Sequence, residues 1–282
     1  MVLDTFISNE ELVAMLPEFL ELYQDRPIKN NAGGMGFNHC FATYAIGKKL
    51  APKVVIESGV WRGQSTWLFE QICPDAQLIC IDPNPGLRIY TSARAAYHTD
   101  DFALIDWSHV DRESALCFFD DHQNAYQRLM EMKWWGFRRG IFEDNFPSDE
   151  GDSYSIRHVM AGVGHPHILM PRHVGPVDEQ GNRDAKERVL LQFYARQSVI
   201  RQPNTVDRAA LKVNVKMYQE MPPVVRYPVS DWGRPWEGAY ETAAPLYSSF
   251  EDPALSIDLE AVEREDPKQA FSYCYLCYVE LR

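Results

Sequence analysis

With 282 residues, 45% of them apolar, the chain can bury a full hydrophobic core as one large domain or one domain carrying insertions. Its net charge of −12, with Lys and Arg scattered along it, excludes the concentrated basic surface that a phosphate backbone needs, so no nucleic-acid partner is expected. No apolar stretch approaches the ~18 to 20 residues that span a bilayer, and the opening MVLDTFISNEELVAML lacks a basic n-region, so a soluble, cytoplasmic protein with no membrane partner is expected.

In chain order, NEELVAMLPEFLELYQD (9–25) places Leu12, Met15, Leu16, Phe19, Leu20 and Tyr23 on one helical stripe, with Pro17 expected to divide or kink the helix. A turn-rich NNAGGMG follows, then a second helix over 37–50 ended by Pro52. Short apolar runs then alternate with helix-like stretches. VVIE (54–57), LICID (78–82), FALI (102–105), ALCFFD (115–120) and GIFED (140–144) read as strands, and 64–73, 88–97 and 123–136 as helices. The alternation predicts an α/β fold, a Rossmann-like three-layer sandwich with a mostly parallel sheet. The expected division is an N-terminal helical arm over 1–35 and a main domain over 36–282, with an insertion or lid at about 203–250.

Beyond 145 the pattern weakens. RDAKERVLLQFYARQSVIRQ (183–202) has a helical stripe, VVRYPV (224–229) reads as a short strand, and FSYCYLCYVEL (271–281) as a terminal strand. The six cysteines are expected to be reduced thiols, most of them inside apolar runs. Cys274 and Cys277 are three apart on a strand, hence on opposite faces, and no second ligand pair accompanies them. His165, His167 and His173 lack the ordered spacing of a metal motif.

Ligands of open parallel sheets bind beyond the carboxyl ends of the strands. In KVVIESGVWRGQSTW a strand ends at Glu57, and Gly59 and Gly63 bracket a turn into a helix, which serves either as a tight βα connection or as a place where a ligand approaches the backbone. Asp82 ends the next strand, where a carboxylate can accept hydrogen bonds from ribose hydroxyls. The turn lacks the compact G-x-G-x-x-G of a pyrophosphate site, and the acid before its first glycine suits an ammonium and repels phosphate. ESGVWRGQSTW resembles motif I of the class I S-adenosylmethionine-dependent methyltransferases, especially the macrocin O-methyltransferase and cephalosporin hydroxylase group, over roughly residues 53–147. The resemblance implies S-adenosyl-L-methionine as cofactor, bound by Glu57, Gly59, Trp61, Gly63, Ser65 and Asp82, with Asp106 reaching the adenine.

FFDDHQ and FEDNF each end a strand in adjacent acids, and like charges at neighbouring buried strand ends call for a cation between them, unless they serve as helix caps and loop charges. Oxygen ligands suit Mg2+, or another divalent cation such as Mn2+ or Ca2+. The same group carries a metal-binding aspartate after the fourth strand and an acidic pair after the fifth, which implies Asp120, Glu143 and Asp144 as ligands; catechol-type O-methyltransferases are similar, with an Asp-Asn pair falling on Asp144 and Asn145. The lysine base of that type is replaced by Gln123, leaving His122, beside Asp120, as the nearest candidate for a catalytic base, the alternative being that it only hydrogen-bonds its loop.

The expected activity is metal-dependent methyl transfer to a hydroxyl of a small molecule, such as a sugar or natural-product diol. A metal-dependent hydrolase or oxygenase on the same fold, or a non-catalytic binding module, are the alternatives. The acceptor cannot be read from the chain, and a homo-oligomer is left open.

Overall fold

A computed structural model of the chain describes residues 5–146, 153–161, 214–226, 243–249, 252, 255 and 275–282. Helix α1 (Asn9–Gln24) opens with a reciprocal cap: the Ser8 hydroxyl accepts the Glu11 N–H at 3.2 Å, and the Glu11 carboxylate accepts the Ser8 N–H at 2.8 Å. Leu12, Leu16, Phe19 and Tyr23 form its buried stripe. The helix is not divided at Pro17. Proline deprives the carbonyl four residues earlier of its partner, and that carbonyl belongs to Val13, on the solvent side at 38% exposure, where water can take the bond. Helix α2 (Phe37–Leu50) buries nearly its whole length and stops where Ala51 turns left-handed (φ 43) before Pro52.

Among the described residues, seven strands form one sheet: β1 (Val54–Ser58), β2 (Gln77–Ile81), β3 (Ala95–His98), β4 (Ala115–Phe119), β5 (Arg139–Phe142), β6 (Val215–Glu220) and β7 (Cys277–Leu281). The spatial order is β3-β2-β1-β4-β5-β7-β6. The first five strands are parallel, and β7 runs antiparallel between β5 and β6. This is the doubly wound order, with the chain reversing its direction of travel between β1 and β4.

Strand parity divides the core. Val55, Leu78, Leu116, Phe118, Ile141 and Tyr278 pack beneath α1, α2 and α3 (Gln64–Ile72). Val54, Ile56, Ile79, Cys117, Phe119 and Val279 pack on the opposite face beneath α4 (Ala125–Trp135) and α5 (Ile156–Ala161). The result is the three-layer sandwich expected. From the N-terminal segment, Ile7, Leu12, Leu16, Phe19, Tyr23 and Met35 join the first of these clusters, with Ile7, Leu12 and Phe19 wholly buried.

Two expected elements are corrected. FALI is not the third strand; Phe102–Leu104 form a 3-10 turn capped by Asp101, whose Oδ1 accepts the Ala103 N–H at 2.8 Å. Phe102 is buried because its ring packs with Trp107, Phe119 and Phe137, not because it is in the sheet. The third strand is β3, which overlaps the end of the segment expected as a helix over 88–97. It is a short edge strand with partly exposed residues, so it has no apolar run to betray it.

Within the stretch expected as a lid, 215–220 form the edge strand β6. Val224 and Val225 are not strand residues; their backbone N–H and C=O bond to the Asn38 side chain of α2 at 2.9 Å each. The helix expected over 183–202, the three spaced histidines and Cys274 lie outside the described residues, as do 227–242 and 250 of the aromatic segment. Cys40, Cys73, Cys80, Cys117 and Cys277 are buried free thiols. Among the described residues, no helix is long and apolar enough to cross a membrane.

The parallel ladder continues one rung past each strand. Gly59 N–H donates to Ile81 O, Asp82 N–H to His98 O, Asp120 N–H to Ser58 O and Glu143 N–H to Phe119 O, at 2.8–3.0 Å. Where the travel reverses, Gly59 (φ 97) lies so close to the β4 exit that a Cβ would stand 1.9 Å from the Asp120 carbonyl oxygen. Gly59→Ala is therefore expected to destabilise the protein by at least ~3 kcal/mol, combining overlap with a disallowed backbone angle, as measured by urea denaturation.

Candidate functional site

The β1–α3 turn is organised from beneath by Asp82. Its Oδ2 accepts the N–H groups of Val60 (3.1 Å) and Trp61 (2.6 Å), and its Oδ1 accepts that of Asn84 (2.7 Å). A carboxylate inside a ring of amides of this kind fixes a turn that would otherwise be strained, and Trp61 has φ 46 here. The Trp61 indole covers Gly34, where any Cβ would stand 2.6 Å from the ring, and the Arg62 guanidinium lies 4.3 Å from the ring centroid. Gly63 (φ 91) closes the turn against the Tyr90 carbonyl, 2.4 Å from where its Cβ would be. The loop 30–36 thus packs on the turn from outside, while Asp82 holds it from inside.

Glu57 is not on the rim. Its parity is that of Val55, so it points under α3, where its carboxylate accepts hydrogen bonds from Ser65, from Thr66 (2.5 Å) and from Cys80 Sγ (3.1 Å). Burial pushes its pKa up despite those donors. The expected role facing a ligand ammonium is replaced by one of tying α3 to β1 and β2, and the Ser65 hydroxyl is taken up in the same way. Asp106 is also placed elsewhere than expected. It does not follow a strand but sits exposed on the loop beyond the 3-10 turn, where its carboxylate accepts the Ser108 N–H at 2.9 Å. The residues that do follow β3 are Thr99, Asp100 and Asp101.

At the exits of β4 and β5 the acids are sorted by direction. Asp120, His122 and Asp144 come together, with one potential ligand atom of each within 4.8 Å of the others. His122 adopts φ 51, its side chain is 57% exposed, and its Nδ1 lies 3.6 Å from Asp144 Oδ2. Glu143 is buried beside them, and its charge bears on Asp120. Burial, then the charges of Glu143 and Asp144, hold the Asp120 carboxyl well above the usual carboxylate range. Burial and Asp144 do the same to Glu143.

His39, from α2, was not singled out by sequence reasoning. It is wholly buried, its Nδ1 bonds Glu143 Oε1, and its Nε2 accepts the Tyr275 N–H at 3.0 Å. Because Tyr275 N–H can only donate, the ring proton must reside on Nδ1, and His39 donates to Glu143. Burial lowers its pKa to about 3, so the ring is neutral. Asn145 links the same parts: its N–H donates to Tyr275 O (2.7 Å), its Oδ1 accepts the Arg157 N–H (2.8 Å), and its Nδ2 donates to Tyr218 Oη (3.0 Å).

Asp121 faces the other way. Its Oδ2 accepts from Ser58 Oγ (2.6 Å) and from Arg128, a residue of α4 with 1% exposure that also binds Asp101 and Glu131 at 2.8 Å. Burial alone would push the Arg128 pKa down, but Asp121 and Asp101 more than offset it and raise it. This clamp was also missed, although a signal existed: Arg128 shares the buried face of α4 with Ala125, Leu129 and Met132, where a charge has no place unless it is paired.

Compared by sequence, the chain matches no established family and no curated protein. Several solved structures are similar to it in part. The apo-structure of CmcI-N160 is 20% identical over 38% of this chain and 52% of that one, with a TM-score of 0.32, so this chain spans about half the length of that neighbour. The O-methyltransferase TomG from Streptomyces achromogenes, involved in tomaymycin synthesis and solved with SAM, is 13% identical over 70% and 79% of the two chains, with a TM-score of 0.32. The plantazolicin methyltransferase BpumL with SAH is 11% identical over 97% and 95%, with a TM-score of 0.36. The chemistry of the site is a matter of this chain's own side chains.

Replacing Arg128 by Met strands three carboxylates at a buried locus, and a loss of ~3–5 kcal/mol is expected. The deficit relative to the parent protein should shrink as pH falls and the unpaired carboxyls take up protons, which denaturation at pH 7 and pH 5 will measure.

Proposed function

We propose that the protein is an S-adenosylmethionine-dependent O-methyltransferase that acts on a hydroxyl of a small molecule with the help of a divalent cation. The observation that carries the reading is the meeting of two strand exits at the reversal point of the sheet. There the turn organised by Asp82 lies against, through Gly59, the exit of β4 that bears Asp120. The carboxyl ends of strands at such a reversal point are where open parallel sheets bind nucleoside-bearing ligands. The absence of a G-x-G-x-x-G turn speaks for a methyl donor over a dinucleotide. The motif I resemblance of ESGVWRGQSTW points the same way.

The residues fit a hard cation. Asp120 and Asp144 are two carboxylates that burial and mutual repulsion make unfavourable as neighbours, and a positive charge between them removes the conflict. When bound, the cation supplies the charge that makes a hydroxyl acidic near neutrality. We assign Asp120 and Asp144 to holding it, with Glu143 behind them. His122, exposed at the rim with its Nδ1 3.6 Å from Asp144, is assigned to taking the hydroxyl proton, since imidazole is the side chain suited to that task at neutral pH. Asp82, through the amides of Val60 and Trp61, shapes the turn against which the cofactor's ribose end would lie. The acceptor is proposed to be a hydroxylated metabolite whose neighbouring oxygens reach the cation and His122 together.

The reading is tested by thermal unfolding with S-adenosylmethionine, with and without Mg2+ or Mn2+. At a hundredfold excess over Kd the cofactor should stabilise the protein by about 2.7 kcal/mol. No response to S-adenosylmethionine under either condition overturns the proposal, and a response to the cation alone favours a metal-dependent hydrolase. Asp144→Ala should abolish cation binding and leave S-adenosylmethionine affinity within about threefold. His122→Ala should retain both ligands, and a loss of cation as severe as that of Asp144→Ala would make His122 a ligand and not the base.

A further inference from the structure

The cation pocket proposed above is assembled from β4 and β5, yet one of its carboxylates is gripped from a distant helix. We infer that His39 is a positioning residue for the cation site, fixing Glu143 and with it the field in which Asp120 and Asp144 hold the cation. The inference rests on the proposed cation-dependent reading.

Three observations carry it. First, His39 lies on a helix whose neighbouring side chains are Phe37, Cys40 and Phe41, and a wholly buried imidazole in such company is costly unless its polar atoms are satisfied. Both ring nitrogens are engaged, and their partners differ: Glu143 Oε1 on Nδ1 and the Tyr275 N–H on Nε2. The Tyr275 amide dictates the tautomer and so makes the other nitrogen a donor aimed at Glu143.

Second, Glu143 connects His39 to the cluster, since it directly precedes Asp144 in the chain and its charge bears on Asp120. Rotation of Glu143 would change the field felt by both proposed cation ligands. Third, the backbone of Tyr275 is tied at both ends of its peptide units to this same assembly. Its N–H goes to His39, and its carbonyl receives the N–H of Asn145, the residue that follows Asp144. Helix α2, the β5 exit and the approach to β7 are thus braced against one another around one carboxylate. Partners that orient a cation's carboxylates commonly alter affinity by about 10-fold to 100-fold when removed.

The two bonds of His39 can be separated by covalent geometry. Asn carries its amide nitrogen at the same remove from Cβ as Nδ1, so His39→Asn can still donate to Glu143 but cannot reach the Tyr275 N–H. Gln extends to the position of Nε2, so His39→Gln can accept from Tyr275 but leaves Glu143 without its donor. Binding of Mn2+ is followed by the loss of the free-ion electron paramagnetic resonance signal, with S-adenosylmethionine affinity as the companion readout. If His39 acts through Glu143, His39→Asn binds Mn2+ within about threefold of the parent protein and His39→Gln at least tenfold more weakly, with cofactor affinity unchanged in both.

Equal Mn2+ binding by both variants overturns the inference. The reversed order, Gln retained and Asn lost, also overturns it, by making His39 a structural tie to Tyr275. Should neither variant fold, Glu143→Gln serves instead, because it preserves shape and alters the group that accepts the His39 Nδ1 proton. A tenfold or greater loss of Mn2+ affinity supports the inference, and unchanged affinity overturns it. Failure of the parent protein itself to take up Mn2+ refutes the cation reading, a result distinct from any outcome in the variants.

Discussion

The molecule depends on a contact between two backbones. Where the chain leaves β1 and where it leaves β4, Gly59 and the Asp120 carbonyl lie together with no room for a side chain. The sheet's direction of travel reverses at that place, so the strands on either side carry their connecting segments away to opposite faces and leave a crevice between them. The ladder rungs beyond the strand ends then dictate which residues stand at the rim: Gly59, Asp82, Asp120 and Glu143 are all anchored by their own amides to the neighbouring strand. A side chain at Gly59 would push the β4 exit outward and move every acid that follows it.

Given that frame, the chemistry is a matter of how buried carboxylates are neutralised. Glu57 is satisfied by two hydroxyls and a thiol, Asp82 by three backbone amides, and Asp121 by a serine and a buried arginine. Each of those arrangements is complete from within and suits a residue that builds the fold. Asp120, Glu143 and Asp144 are different. Their charges bear on one another, and two histidines stand beside them, one sealed inside and bonded to Glu143, the other turned outward with its Nδ1 3.6 Å from Asp144. Carboxyls clustered in this way suit a positively charged ligand.

Much of this was legible in the chain. The inner strands β1, β2, β4 and β5 are covered on both faces, and such strands are written as unbroken apolar runs. Their carboxyl ends follow at once, which is why Asp82, Asp120, Glu143 and Asp144 could be named as rim residues. Edge strands carry no such mark. β3 is half-exposed, and β6 is written with Lys216, Gln219 and Glu220, so neither stood out while the more apolar FALI misled. The direction of Glu57 was in principle available from its parity with Val55. His39 was not, because it meets Glu143 across 104 residues, and no local pattern encodes a contact of that range.

The position of β7 between β5 and β6 has a consequence for the order in which the protein can assemble. β6 precedes β7 in the chain but lies outside it in the sheet, so when β6 leaves the ribosome the strand it must pair with has not yet been made. Until then β5 presents a raw edge and β6 has nothing to join. The brace on His39 waits for the same event, because Tyr275 arrives only with the approach to β7. A nascent chain therefore does not complete the brace around Glu143 before the approach to β7 has been made.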